Sequence, residues 1–364
     1  MQAFPVFYRR PPKGLADKNN KYLSGKKLHL TGSLMKRSLL ILAVAVLLPG
    51  FFYSAAAAEI RAFHNVNQFA FKQIFGLPSL DNSPLTEAGK WRMNLIANIS
   101  NTYDIENGAT EQIINDVETF RGSLLVSFAP RDNWQLSLEV PYISHDGGFL
   151  DDFIYDWHDF FNMSQNGRSK ENSDLLHISY LSGAGASFEL SDSQNGIGDI
   201  RINGAYTRPW GNRALIFSTE LKLPTGDYEK LTGSGGYDFS MGLTINDPQS
   251  LGKYRITLFG GLAGLLLGDI DGELAAIQKN FALAGRMGIG WQATKLIQLK
   301  LQLDAHSALY DSDLKQIGDF AMQLVFGGSL TFSDDVYLDI SIAEDINTAT
   351  AVDVAFQLGL VVTF

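Results

Sequence analysis

From Asp353 to Phe364 the chain alternates without a break. Val354, Phe356, Leu358, Leu360, Val362 and Phe364 fall on one face, and Asp353, Ala355, Gln357, Gly359, Val361 and Thr363 on the other. A period of two marks a strand, because successive side chains leave a pleated backbone on opposite sides. A soluble domain rarely ends flush on a strand with one greasy face and one small or polar face. Such a strand belongs in a wall with lipid outside and a polar interior. That wall must close on itself, since no backbone group can stay unpaired in hydrocarbon.

The rest of the chain obeys the same rule. After residue 58 no apolar run is long enough for a membrane helix, so any crossing must be made by strands. Alternating stretches bounded by turn residues predict about twelve strands: 91–103, 117–129, 133–144, 197–208, 213–224, 236–246, 253–267, 281–292, 296–310, 319–332, 335–344 and 353–364. Their connections alternate as well. Short links at Pro130-Arg131-Asp132, Pro209 to Asn212, Asp247 to Gly252, Ala293 to Lys295 and Ser333-Asp334 separate longer ones at 104–116, 145–196, 225–235, 268–280, 311–318 and 345–352. The expected fold is all-β: a transmembrane, antiparallel, up-and-down β-barrel with short turns at one end and long loops at the other.

Outward and inward faces follow from the register. Trp134, Leu136, Leu138, Val140 and Tyr142 share one face, as do Tyr237, Phe239, Met241, Leu243 and Ile245, with aromatics near the ends as a headgroup girdle requires. Leu299, Leu301 and Leu303 alternate with Lys300, Gln302 and Asp304, a set lipid could not tolerate. Projecting every strand inward gives expected lumen charges of Arg92, Arg121, Arg201, Lys222, Arg255, Arg286 and Lys300. Opposite them stand Glu139, Asp199, Glu220, Asp238, Asp304, Asp319 and Asp339, with His306 on the same face as Asp304. Interleaved opposite charges can neutralise one another across neighbouring strands, and about twelve strands make a narrow or plugged pore the expectation.

Charge and hydropathy divide the chain ahead of these strands. Residues 1–34 are basic and lack apolar periodicity, and are expected to be an over-extended start. Residues 35–58 read as a secretory signal peptide: Met35-Lys36-Arg37, an apolar run from Leu39 to Leu48, Pro49-Gly50, and a small-residue site at Ala56-Ala57-Ala58. Residues 59–90 mix Asn65, Asn67 and Gln68 with Phe69, Phe71, Ile74 and Phe75, and are expected to enter the lumen as a plug or to pack on a rim. The barrel occupies 91–364. Removing the basic leader leaves roughly 20 basic and 38 acidic residues, which excludes nucleic acid as a partner, because neutralising phosphates needs clustered Lys and Arg. The chain has 0 Cys, so thiolate chemistry is absent.

In the longest loop, Phe149, Phe153, Trp157 and Phe160 recur at helical spacing while Asp152, Asp156 and Asp159 line another face. A short amphipathic helix is expected there, as a rim-packed helix, as a gate, or, with His158, as a divalent-cation site; no calcium-loop spacing supports the last. His145, His158 and His177 are expected at the surface. A barrel lipid hydrolase would need a Ser paired with His306; Ser307 points the other way, and Ser218, Ser240 and Ser329 are the inward candidates. No cofactor is expected.

Phe75-Gly76-Leu77-Pro78, Gly196-Ile197-Gly198-Asp199, Leu223-Pro224-Thr225-Gly226-Asp227 and Gly233-Ser234-Gly235-Gly236-Tyr237-Asp238 stand in an order that resembles a bacterial outer-membrane family, the domain of unknown function 3187. The sequence is also similar to barrels annotated for uptake of hydrophobic compounds. Phe356, Leu358, Leu360, Val362 and Phe364 resemble the C-terminal signal read by the barrel-assembly machinery. The resemblance implies a barrel in outer-membrane lipid and no established activity, so it carries over no catalytic residue. Analogy with such barrels and the polar lumen lead to the expectation of a monomeric channel or transporter for a small solute, hydrophobic compounds being the class the analogy suggests. A lipid-modifying hydrolase and a structural or surface-binding barrel are the alternatives.

Overall fold

The structure, a computed structural model, describes residues 59–150, 152, 155–156, 159, 174–183, 185–347 and 349–364. Among them are β1 (Trp91–Asn107), β2 (Glu111–Arg131), β3 (Trp134–Asp146), β4 (His177–Ser182), β5 (Ser187–Leu190), β6 (Gln194–Ile197), β7 (Arg201–Trp210) and β8 (Arg213–Lys222). There follow β9 (Asp238–Leu251), β10 (Ile256–Leu266), β11 (Phe281–Gln292), β12 (Ile297–His306), a one-turn helix α1 (Lys315–Gly318), β13 (Ala321–Thr331), β14 (Val336–Asp345) and β15 (Val354–Thr363).

The ladder is antiparallel throughout and closed. Each wall strand pairs with its sequence neighbour, β3 pairs with β7, and β1 meets β15 from Arg92↔Thr363 to Asn101↔Val354. Closure leaves no wall edge to hydrogen-bond with lipid. The twelve wall strands are those expected; β4, β5 and β6 are additions at the long-loop end. There β2 outgrows β3 and pairs its upper half, Glu111 to Asp116, with β4, while β6 continues the line of β7 against Tyr142 to His145. The segment 104–116 therefore corrects an expected long loop: Asp104–Asn115, Ile105–Ile114 and Glu106–Ile113 are ladder pairs, and only 108–110 lie between the strands.

The outer surface is apolar. Leu95, Leu136, Phe217, Met241, Leu262, Leu283, Met287, Leu299 and Leu358 are all exposed. Trp91, Trp134, Trp210 and Trp291 sit at the short-turn end, also exposed, as an interfacial girdle demands. Side chains between them in register, such as Lys300 and Gln302 on β12, are buried inside.

Candidate functional site

The interior is occupied by the chain itself. Residues 60–68 rise from the short-turn end, 69–75 turn beneath the long loops, and 76–85 descend to feed β1. The limbs are clasped at the base: Ala62 N–H donates to Asn82 Oδ1 at 2.6 Å, Asn82 Nδ2 donates to the Ile60 carbonyl at 3.1 Å, and Arg61 pairs with Asp81 at 3.2 Å. At the apex the Lys72 and Gln73 N–H groups both donate to the Phe69 carbonyl, the tight turn that reverses the segment.

Apex and limbs meet different surroundings. Phe69, Phe71, Ile74 and Phe75 are fully buried in an apolar chamber beneath the long loops, with Ile113, Tyr180, Phe188 and Tyr310. Phe71 meets Phe188 edge-on at 5.5 Å, and Phe75 meets Tyr310 likewise at 5.5 Å. Below the chamber the lumen is polar, and its side chains grip the main chain of the plug. Arg201 donates to the carbonyls of Phe75 and Leu77 at 3.1 and 2.8 Å, and Lys222 to that of Ile74 at 3.1 Å. Arg286 donates to those of Asn65 and Ser79, and Arg92 to that of Ser83. Gln302 both accepts from Phe63 N–H at 2.9 Å and donates to its carbonyl at 3.3 Å, as a neighbouring strand would.

The glycine-rich motifs converge on one buried cation. Lys222 Nζ lies 2.7 Å from Asp199 Oδ2 and 3.2 Å from Asp238 Oδ2, and also donates to Ser234 Oγ. Asp199 interrupts the wall between β6 and β7, and its carboxylate accepts from Gly226 and Ser234 N–H at 2.8 and 3.0 Å. Asp238 reaches inward to Gly76 N–H at 2.7 Å. An alanine Cβ at Gly76 would lie 3.0 Å from Asp238 Cβ, so glycine permits this close approach. The four motifs thus join the long loop 225–235, the wall and the plug at a single ammonium. Burying an ion is tolerable when it is paired and hydrogen-bonded on all sides.

The other candidates fall as follows. Arg121 and Glu139 pair at 3.2 Å, with His64 of the plug 3.3 Å from Glu139; Arg201 and Glu220 lie 3.7 Å apart. Lys300 pairs with Asp339 at 2.7 Å and stands 3.9 Å over the Phe63 ring, and Arg286 pairs with Asp304. Two expected lumen charges are corrected. Arg255 is exposed, closing the 3-10 turn Gly252–Tyr254 with φ 60°, because β10 starts only at Ile256. Asp319 is exposed at the C-terminus of α1, ahead of β13. His145 is also corrected from surface to interior: β3 runs on to Asp146, and the ring is fully buried against Thr119 Oγ1 at 2.9 Å.

His306 is buried with Nε2 2.9 Å from Asn67 Nδ2 and Nδ1 2.8 Å from the Ser307 carbonyl, so both ring nitrogens are engaged by amide groups. Phe149, Asp152 and Asp156 are exposed, the two aspartates in helical conformation. Phe153, Trp157, His158 and Phe160 lie outside the described residues. Among the described residues no group of three or more carboxylates or imidazoles is arranged to hold a metal.

Lys72 is the site's unexpected member. It is fully buried at the apex, donates to the Thr350 carbonyl at 2.7 Å, and has no carboxylate within ion-pair distance among the described residues. Burial pulls its pKa down to about 7 against the opposing pull of Asp345, Asp104 and Asp319. No sequence pattern marked it, since Lys72 sits in a segment without periodicity.

Residues 38–364 match a family described as "Protein of unknown function (DUF3187)". No curated protein matches the sequence. Among solved structures, the COG4313 outer membrane channel from Pseudomonas putida F1 is 14% identical, covering 77% of this chain and 97% of that one at a TM-score of 0.49. The NanC porin is 8% identical over 74% of this chain and 98% of its own, TM-score 0.43. The toluene transporter TodX of P. putida is 8% identical over 77% and 90%, TM-score 0.31. The barrel is established by its own strand ladder rather than by these likenesses.

Proposed function

For a chain that belongs to the DUF3187 family, we propose an outer-membrane barrel that acts as a narrow, gated channel or transporter for a small solute and is held shut at rest by residues 60–85. The observation that carries this reading is the occupied lumen. Three cavities beside the plug inside the lumen measure about 30, 40 and 50 Å³, room for a water or two and for no solute. The lipid-facing belt and Trp girdle support the membrane setting, with short turns and both ends of the plug toward the periplasm and long loops outside. Residues 35–58 would serve as the cleaved export signal. The apolar chamber around Phe71 and Phe75 would be vacated when the plug leaves, which suits a solute with apolar parts.

Tethering the plug tests this. The sequence has 0 Cys, and a Cβ at Gly290 would lie 3.4 Å from Ile60 Cβ, near the roughly 3.5–4.5 Å of a disulfide. In planar bilayers, the Ile60→Cys/Gly290→Cys protein should be silent when oxidised and show openings when reduced. If wild type and reduced tether both stay silent although heat-modifiable gel mobility reports a folded barrel, a barrel without transport replaces the channel.

A further inference from the structure

We propose that the lumen is a binding channel for extended peptide, and that the plug is its resident, displaceable occupant; the inference rests on the reading above, in which the plug leaves. The wall reads the plug through its main chain. Lys222 and Arg201, on adjacent strands, take the carbonyls of Ile74, Phe75 and Leu77; Asp238 takes the N–H of Gly76 between them. Arg286 takes carbonyls on both limbs, Gln302 takes the N–H and carbonyl of one residue, and Tyr310 donates to the Phe71 carbonyl at 2.7 Å. Main-chain bonds of this kind do not depend on sequence, save that the bond to Asp238 needs a glycine at the position of Gly76. Specificity then comes from side-chain pockets, here those holding Phe63, Phe71 and Phe75.

The same bonds argue against a purely apolar occupant. When the plug leaves, the guanidinium of Arg201 and the carboxylate of Asp238 lose partners they hold while buried. An amide repeating about every 3.3 Å along an extended chain replaces those partners, and a hydrocarbon leaves them unmet. A site built to hydrogen-bond its ligand rejects one that lacks the groups. The ligand class is therefore short, extended peptide with apolar or aromatic side chains.

The experiment uses the full chain carrying Ser218→Cys, which lines the cavity beneath the descending limb. Phe71→Ala/Phe75→Ala loosens the apex, and maleimide labelling of the folded barrel reads whether the lumen is open; labelling should rise about tenfold. Three probes are then added: a peptide of residues 60–85, an unrelated extended peptide with the same spacing of apolar residues and a glycine at the position of Gly76, and 1-dodecanol. Protection by both peptides and not by the alkanol supports the proposal. Protection by the plug's own peptide alone, or equally by the alkanol, overturns it while leaving the gated barrel standing. Where the apex variant does not fold, Leu77→Ala/Leu80→Ala loosens the descending limb instead. If labelling rises in neither variant, the plug does not leave, and both readings fall.

Discussion

The carboxylate of Asp238, on the barrel wall, accepts the main-chain N–H of Gly76, in the plug, at 2.7 Å. Replacing Gly76 by Ala places a methyl 3.0 Å from Asp238 Cβ and 3.3 Å from Lys222 Cβ, atoms fixed to the wall backbone. The descending limb must back away and lose the bond. Gly76→Ala is expected to destabilise the seated plug by about 1–3 kcal/mol, read as faster labelling at Ser218→Cys. Labelling at the wild-type rate would show that the contact does not hold the plug.

Lys222 is 1% exposed and shared by Asp199 and Asp238. Lys222→Met leaves both carboxylates buried without their cation, at a cost of about 3–5 kcal/mol in folding stability. The midpoint of urea unfolding in detergent should fall accordingly. A variant as stable as wild type would mean that hydrogen bonds from Gly226, Ser234 and Gly76 suffice.

At Lys72 the pH dependence has a definite sign. With its pKa held at about 7 by burial, below the ordinary lysine value of 10.5, the folded state resists the ammonium. The penalty is fully present below pH 7, fades as pH rises, and is gone above the ordinary lysine range. The charged and titratable groups that face it are Asp104, Asp345, Asp319 and His306. Lys72→Met should therefore raise thermal stability at pH 6 and much less at pH 10. Equal shifts at both would contradict the burial penalty.

On the outer wall, Leu262 is 74% exposed among other apolar side chains, whereas Tyr254 is exposed in a short turn. Leu262→Arg should cost about 2–4 kcal/mol in bilayer-embedded stability and Tyr254→Arg about 0–1. Equal costs in vesicle refolding titrations would move the lipid belt off β10.

The wall was legible because periodicity is a property of each strand alone. Leu299 to Asp304 shows its two faces without knowledge of any partner, so the strand count and inward sets follow from the sequence. Arg255 and Asp319 were misplaced because a strand's first residue depends on the turn before it, here a left-handed residue and a helical turn. The path of residues 60–85 was not legible, since a segment bound through its carbonyls leaves no mark in its side chains. Gly76 and the aspartates of the glycine-rich motifs were visible, but not that Asp199 and Asp238 share one ammonium across 39 positions of chain.

The clasp at Arg61–Asp81 and Ala62–Asn82 puts both feet of the plug at the same mouth of the barrel. A finger inserted from one side can be drawn out without parting any wall strand. Tension applied at its residue 60 end would reach the clasp first, then Gln302, then Arg286, so the bonds would yield in sequence as a zip does. Peeling bonds singly takes far less force than shearing them together. A segment held at many points can therefore be firm against thermal escape and still yield to a modest pull from below.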